Sequence, residues 1–425
     1  MHQPDSAPAS SNIRALTIIG VLFFIFGFVS WMNAVLIPYF KLTCQLSDQQ
    51  SMLVAFAFYI SYFIMAIPSS AILKKTKFKN GMMFGLWIMA IGALIFIPAA
   101  MSRNYSLFLT GLFIQATGLT LLQTASNPYI VILGPIESAA QRISFMGICN
   151  KVAGALAPLL LIHLITKSDD EIDRIQQQLP TLSDLEQVQI MDELASRLIL
   201  PYCCIALVLV ALGLLIRYSH LPDVEESESA EGEVSDKKSI FQFPHLILGA
   251  IAIFCGVSVE VLAVDSIIGY AQHTGLPFKD AKYFATITLI FMIVSYVIGA
   301  VTIPRYIRQR RMLQIIATLG LICTAAALVL QGSWSVWSIA MLGFANALLW
   351  PSIWPLALDG TGKFTKQASA LLIMGVVGGA LTPLVYGAIS DETNPQMAYA
   401  VLLPCYLFIL YFAGRGYKAG RQMVD

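Results

Sequence analysis

The sequence predicts an all-α membrane protein of twelve transmembrane helices arranged as two six-helix bundles. Three observations carry this prediction: 57% of the 425 residues are hydrophobic, only 12% are charged, and twelve apolar segments approach the length of a bilayer crossing. An ordinary soluble domain has about 25% charged residues, so this chain carries more apolar surface than one water-soluble core could bury. A helix needs about 20 apolar residues to cross a hydrocarbon layer about 30 Å thick.

The predicted spans are joined mostly by short connections. They cover residues 14–40, 50–73, 81–100, 106–130, 143–166, 197–217, 246–272, 281–303, 312–331, 334–357, 368–390 and 396–414. The polar, glutamate-rich stretch 219–243 separates the sixth and seventh spans, and such a composition is typical of a solvated linker. We therefore place one bundle at 13–218 and the other at 244–415, with polar tails at 1–12 and 416–425. A second polar insert, 167–196, lies between the fifth and sixth spans, and we expect a small surface helix in it.

Basic residues near the span ends predict the orientation, because Lys and Arg favour the cytoplasmic side. With the N-terminus inside, the basic clusters at 74–79, 305–311 and 415–421 all fall on that side. Both termini and the linker are then cytoplasmic, and the insert lies outside. The polar N-terminus has no basic region followed by a short cleavable apolar core, so we expect the first span to be retained. These features predict a monomeric, multi-pass protein of the inner membrane.

Composition and motifs also exclude several classes of function. The net charge of +1 provides no broad basic field, which disfavours a nucleic-acid partner. The seven cysteines lack the spaced pairs of a zinc site or a disulfide framework. The sequence contains no G-x-x-x-x-G-K-[ST] motif that would couple nucleotide hydrolysis. We expect neither an enzyme nor a bound cofactor, and an ion gradient would have to drive any uphill work.

Three ionisable side chains lie inside predicted spans, where a charge is costly and usually faces a protein interior or a wet cavity. Lys151 lies in the fifth span, and Glu260 and Asp265 lie in the seventh. On a regular helix Glu260 and Asp265 point about 140° apart, so they address one point only where the helix is distorted. A cation beside a carboxylate could exchange with a transported ion or bind substrate hydroxyls. The alternatives are that Lys151 only docks the two bundles through an ion pair and that Asp265 is a solvated residue at the mouth.

Amide and indole side chains at helical spacing extend this candidate site. The candidate substrate-binding residues are Asn33, Gln123, Asn127, Asn150, Lys151, Glu260, Asn346 and Trp350. Residues four apart share one face of a helix, as Gln123 does with Asn127 and Asn346 with Trp350. Amides bond to hydroxyls, and an indole covers the apolar face of a sugar ring. The alternative is that the amides join helices and the tryptophans lie in the interfacial belt.

Three long strings give the sequence a specific resemblance. The strings NPYIVILGP (127–135), RISFMGICNK (142–151) and WPSIWPLALDGTGKFTKQASALLIMGVVGGALTPLVYG (350–387) resemble the fucose permease family of the major facilitator superfamily. The likeness runs from about residue 23 to residue 387. It implies the superfamily fold and a carrier for glucose, galactose, fucose or N-acetylglucosamine.

Departures from the family pattern bear on the coupling ion. The family's fucose permease has acidic residues, implicated in proton coupling, where this chain has Ala34 and Gln123. The string VEVLAVDSI (259–267) instead resembles the glutamate-containing seventh span of the glucose/galactose branch. The resemblance implies a secondary active sugar symporter that works by alternating access, with Glu260 and Asp265 as ion-coupling residues. We expect sodium rather than a proton, held by Asp265 together with Ser258 or with oxygens from a neighbouring helix. The alternatives are proton coupling, or an uncoupled facilitator with Lys151 as its resident cation.

Overall fold

The computed structural model describes residues 9–132, 139–219, 239–303 and 305–420. Within them the chain is built from α-helices and short 3₁₀ turns. In chain order the α-helices are α1 (Ala9–Trp31), α2 (Asn33–Thr43), α3 (Asp48–Ser51), α4 (Leu53–Met101), α5 (Tyr105–Ile132), α6 (Ala139–Ile165), α7 (Glu171–Gln178), α8 (Asp184–Ser196), α9 (Ile199–Tyr218), α10 (Pro244–Asp265), α11 (Ile267–His273), α12 (Phe278–Ala281), α13 (Tyr283–Thr302), α14 (Gln309–Val329), α15 (Ser333–Asn346), α16 (Leu349–Leu358), α17 (Thr365–Met374), α18 (Gly378–Glu392), α19 (Pro395–Ala398) and α20 (Leu402–Gly414).

The prediction of an all-α membrane fold is confirmed. The described residues contain eleven helical stretches that are long and apolar enough to cross a membrane. The longest, Asp48–Met101, has 54 residues and would be about 81 Å long as a single rod at 1.5 Å per residue. Inside it Lys77 has φ 62° and ψ 170°, which interrupts the helix. Asp48–Met101 therefore provides two crossings, which brings the total to the predicted twelve.

Some of the predicted spans are interrupted within their length. Met32 separates α1 from α2, Ser266 separates α10 from α11, and two residues separate α15 from α16. The hydropathy pattern of a span is the same on either side of such a break, so the sequence predicts continuous helices there. The insert also differs from the prediction, because it forms two helices, α7 and α8, rather than one. Most of the predicted linker, residues 220–238, lies outside the described residues.

Glycines allow the helices of the first half to approach closely. A Cβ atom on Gly118 of α5 would lie 2.4 Å from the carbonyl oxygen of Gly85 in α4 and 2.6 Å from the backbone nitrogen of Met89. Membrane helices associate through such small-residue contacts, because lipid provides no hydrophobic drive between them. The α4–α5 pair therefore depends on a backbone-to-backbone contact at Gly118.

Replacing Gly118 with alanine is expected to destabilise the protein by about 1–3 kcal/mol, the usual range for overpacking a well-packed interior. Thermal unfolding of the purified protein in detergent measures the effect. Gly269 is the matched control, because nothing lies within 4 Å of a Cβ atom built there. Gly269→Ala should leave the melting temperature unchanged or raise it, and equal losses in the two variants would contradict the packing argument.

The insert is anchored by ion pairs and hydrogen bonds on the half that carries it. Arg197 donates to both carboxylate oxygens of Glu171, each at 2.9 Å, and to the carbonyl oxygen of Ile165 at 3.0 Å. The hydroxyl of Tyr39, at the end of the first span, donates to the carbonyl oxygen of Leu194 at 2.7 Å. We call the end of the bundle that carries this insert the insert face, and the opposite end the termini face.

Acid is expected to loosen this anchor. Burial would by itself raise the pKa of Glu171, but hydrogen bonds from Arg197 and from the backbone of Lys167 outweigh it and lower that pKa below its ordinary value of 4.5. A carboxyl whose folded pKa is depressed contributes stability above its unfolded pKa and loses it as the pH falls through the folded value. We therefore expect pepsin to cleave the insert of the parent protein faster as the pH falls below about 4.5. The rate for the Glu171→Gln variant should not show this acceleration. A constant ratio of the two cleavage rates across that range would contradict this.

Candidate functional site

An ion pair joins the two halves of the molecule near the middle of the bundle. Nζ of Lys151, on α6, donates to Oε1 of Glu260, on α10, at 2.5 Å. The two side chains are only 7% and 17% exposed. Lys151 lies about 18 Å along α6 and Glu260 about 24 Å along α10, counted at 1.5 Å per residue. Lys151 is therefore paired with a carboxylate of the other half.

Close packing of α1 on α6 presents Lys151 to the interface. A Cβ atom on Gly27 would lie 1.8 Å from the carbonyl oxygen of Asn150, and one on Gly154 would lie 2.3 Å from Cδ1 of Trp31. The Trp31 indole therefore packs directly on α6, and its Nε1 donates to Oδ1 of Asn150 at 3.3 Å. Nζ of Lys151 lies 4.0 Å from the centre of the Trp31 ring, which adds a cation–π attraction to the ion pair.

The last residue of α10, Asp265, is a buried carboxylate of a different kind. It is 1% exposed, and neither of its oxygens has a hydrogen-bond partner among the described residues. A buried anion without a countercharge costs several kcal/mol, and binding of a cation or a proton removes that charge. The helix α10 continues as far as Asp265, so Glu260 and Asp265 point in different directions from its axis.

The structure does not bring together the two residues predicted to hold sodium. Ser258, the predicted second ligand, lies seven residues away, or about 10.5 Å along α10. Its Oγ accepts a hydrogen bond from Thr382 at 2.7 Å and packs against Gly378. Hard cations take several oxygen ligands at about 2.3–2.6 Å, so Ser258 and Asp265 do not form such a set together. The expectation of sodium bound by these two residues is not supported.

Asn346 has partners within its own half. Its Nδ2 donates to the carbonyl oxygen of Val259 at 3.0 Å, and its Oδ1 accepts from the hydroxyl of Tyr406 at 2.6 Å. These two bonds join α15 to α10 and α20, as the alternative interpretation of the amides expects. Trp350 is half-buried on α16 and stacks on Trp354 with 4.9 Å between ring centres. Trp350 and Trp354 thus form an aromatic pair on one face of α16.

The remaining predicted amides differ in their surroundings. Asn33, at the start of α2, is fully buried, and both ends of its amide lack a partner among the described residues. An unsatisfied buried polar group costs about 1–3 kcal/mol, and a bound hydroxyl or water would satisfy it. Gln123 is half-buried on α5. The side chain of Asn127 lies outside the described residues.

Sequence reasoning missed three tyrosines that lie near Glu260: Tyr59, Tyr296 and Tyr406. The phenol of Tyr59 lies within coulombic range of both Glu260 and Asp265, and Tyr296 lies within range of Glu260. Tyr59 and Tyr62 stack with ring centres 6.2 Å apart. Tyrosines usually lie at the membrane interface, so their position in the middle of predicted spans is the signal that could have identified them.

Twelve crossings in two halves, joined by a buried ion pair near mid-membrane, define a membrane carrier rather than an enzyme. The sequence profile described as Major Facilitator Superfamily matches residues 19–383. The chain belongs to this superfamily, as the resemblance implied.

Relatives of known name extend the comparison over nearly the whole chain. The glucose/galactose transporter of Brucella abortus is 35% identical over 410 residues, covering 95% of this chain and 94% of that protein. The L-fucose-proton symporter of Escherichia coli K12 is 28% identical, covering 96% and 94%. The crystal structure of the transporter FucP in the outward conformation matches with a TM-score of 0.72 and 26% identity, covering 97% of this chain and 100% of that one.

Proposed function

We propose that this chain is a proton-coupled sugar symporter that works by alternating access. The observation that carries the proposal is the Lys151–Glu260 ion pair at 2.5 Å, which places two charged groups from opposite halves beside the Trp31 indole. Carriers of this type bind their substrates near mid-membrane, at the interface of their repeats.

A sugar suits the groups that meet there. An ammonium, a carboxylate and the Asn33 amide bond to hydroxyls in both directions. The face of an indole packs on the apolar C–H surface of a pyranose ring. The names of two relatives support the same substrate class, since one is called a glucose/galactose transporter and the other an L-fucose-proton symporter. Sugar hydroxyls would compete for the Lys151–Glu260 bond, so binding changes the contact between the halves.

A proton suits Asp265 better than sodium does. Asp265 is buried without a hydrogen-bond partner among the described residues, and a single proton neutralises it without further ligands. Neutralising a buried carboxylate lowers the free-energy cost of closing the halves around it. Ala34 and Gln123 are not acidic, which leaves Asp265 as the carboxylate that can take this role. Glu260 is already neutralised by Lys151.

The ion pair also favours a second candidate function. If Lys151 permanently supplies the cation that a gradient would otherwise provide, the protein is an uncoupled facilitator that equilibrates sugar across the membrane. Such a protein would exchange labelled for unlabelled sugar but would not accumulate it.

Uptake of radiolabelled glucose, galactose and fucose into proteoliposomes tests the proposal. Imposed proton and sodium gradients are applied separately. Proton coupling predicts concentrative uptake that requires an inward proton gradient, ignores sodium and collapses with a protonophore. Concentrative uptake that depends on sodium alone would reverse the assignment of the ion, and counterflow without accumulation would favour the facilitator.

A further inference from the structure

Two segments of the chain, one in each half, repeat the same local structure at the insert face. The first runs from Gln45, which has φ 53°, through α3. The second runs from Gly275, which has φ 93°, through α12. In each, a leucine and an extended residue follow the positive-φ residue, and a four-residue helix then leads into a long span. The two segments follow the first and seventh spans, so they are equivalent in the two bundles.

In the first segment, two consecutive backbone N–H groups bind a carboxylate from the other half. The N–H of Asp48 donates to Oδ1 of Asp391 at 2.8 Å, and the N–H of Gln49 donates to Oδ2 at 3.0 Å. Asp391 lies at the end of α18, and the neighbouring Ser390 hydroxyl donates to the Asp48 carboxylate at 2.5 Å. We call the contact of Asp391 with Asp48 and Gln49 the first clamp.

The second segment repeats this arrangement with the halves exchanged. The N–H of Phe278 donates to Oδ1 of Asp173 at 2.6 Å, and the N–H of Lys279 donates to Oδ2 at 3.1 Å. Asp173 lies on α7 of the insert, which follows the fifth span, whereas Asp391 ends the eleventh. We call the contact of Asp173 with Phe278 and Lys279 the second clamp. Each half therefore gives one aspartate and receives one at equivalent positions.

The halves meet closely around both clamps. A Cβ atom on Gly387 of α18 would lie 2.6 Å from Cα of Gln49, so the backbone of α3 rests directly on this glycine. Beside the second clamp, Nζ of Lys282 donates to Oδ1 of Asp169 at 2.6 Å. A crevice of about 670 Å³ follows the seam between the halves and is lined by residues of both, including Gln176, Gln272 and Asp391.

We propose that the two clamps together form the gate that closes the insert face, and that both must break when the substrate pathway opens there. Each clamp joins a side chain of one half to the backbone of the other, so the halves cannot separate on this side while either clamp holds. Because the two clamps are reciprocal, they hold the halves together at two separate points on the insert face. This proposal rests on alternating access by a superfamily member and is independent of the sugar and of the coupling ion.

Distances between spin labels across the insert face test the proposal without any transport assay. One label is placed on each half, at the exposed positions Gln189 and Ser333. The native cysteines that are not buried are first replaced by serine: Cys44, Cys149, Cys203 and Cys204. Double electron–electron resonance in lipid nanodiscs then reports the populations with the insert face closed and open.

The clamp variants Asp173→Ala and Asp391→Ala should each raise the ratio of open to closed about tenfold, which corresponds to about 1.4 kcal/mol and lies near the range for a hydrogen bond to a charged group. The double variant should raise this ratio further.

Asp170→Ala and Glu392→Ala are the matched controls. Asp170 pairs with Arg174 of its own half at 3.2 Å, and Glu392 is exposed at the end of α18, next to Asp391. Neither control should change the distances.

Two further variants distinguish opening of the gate from misfolding as the cause of a change in the distances. Asp173→Asn with Asp391→Asn keeps the side-chain shape and should shift the distances in the same direction by less. Gly387→Ala leaves both aspartates intact but places a Cβ atom against the α3 backbone, and it should also favour the open population. Distances in the double clamp variant that match those of the parent would overturn the proposal, as would an equal shift in the two controls.

Discussion

Replacing Lys151 with alanine is expected to abolish sugar uptake and to destabilise the protein. The substitution leaves Glu260, which is 17% exposed, as a buried carboxylate without its cation. Removing one partner of a buried ion pair typically costs about 3–5 kcal/mol. Thermal unfolding in detergent and proteoliposome uptake measure the two effects separately.

A double-mutant cycle separates the role of this pair in folding from its role in transport. Lys151→Ala with Glu260→Ala removes both charges, so we expect it to be less destabilised than the sum of the single variants, because the two residues are in direct contact. If the pair only docks the halves, the double variant should transport sugar; our proposal expects it to be stable and inactive. Additive losses of stability would contradict the ion pair itself.

Replacing Asp265 with asparagine is expected to uncouple transport from the proton gradient. Asparagine has nearly the same shape as the protonated acid but cannot release or take up a proton, so the carrier closes whether or not a proton is present. Concentrative uptake should fall to simple equilibration, while counterflow of sugar persists. Uptake by the variant should also become independent of external pH.

Asp280 provides the control for this prediction. It is an exposed carboxylate of α12 at the insert face, so Asp280→Asn removes a charge near the same end of the seventh span without touching the buried site. Its uptake should follow that of the parent protein. Accumulation that survives in Asp265→Asn would exclude Asp265 as the coupling residue, and loss of counterflow would assign it to sugar binding instead.

Hydropathy alone predicts the fold because the bilayer imposes it. Any helix that crosses a bilayer must be apolar for about 20 residues. Twelve such segments therefore restrict the chain to the class of α-helical membrane proteins. The details that the sequence did not predict depend on backbone conformation within apolar runs. Lys77, for example, joins two crossings through one residue with φ 62°, where the basic cluster at 74–79 predicts an ordinary loop.

The charged residues of the candidate site could be identified from the sequence more readily than its amides. Lys151 and Glu260 are conspicuous because ionised groups in spans need partners. Asn346 and Asn33 are both asparagines inside predicted spans, so the sequence does not distinguish them. Asn346 bonds to Val259 and Tyr406, whereas Asn33 has no partner among the described residues. Which amide joins helices and which faces a cavity is decided by the rotation of each helix, which residue type does not encode.

The clamps could not be predicted from the sequence for a different reason. Their hydrogen-bond donors are backbone N–H groups, which every residue except proline possesses, so Phe278 and Lys279 give no signal of their role. Asp173 and Asp391 look like ordinary surface carboxylates until the two halves are placed together.

Asp265 ends α10, and Ser266 is the single residue between it and α11. From there the chain passes through Gly275 into the segment held by Asp173. Under the proposed proton coupling, the change of charge at Asp265 would occur one residue from the break between α10 and α11. The proposed coupling residue and the proposed gate are therefore connected through one short helix, α11.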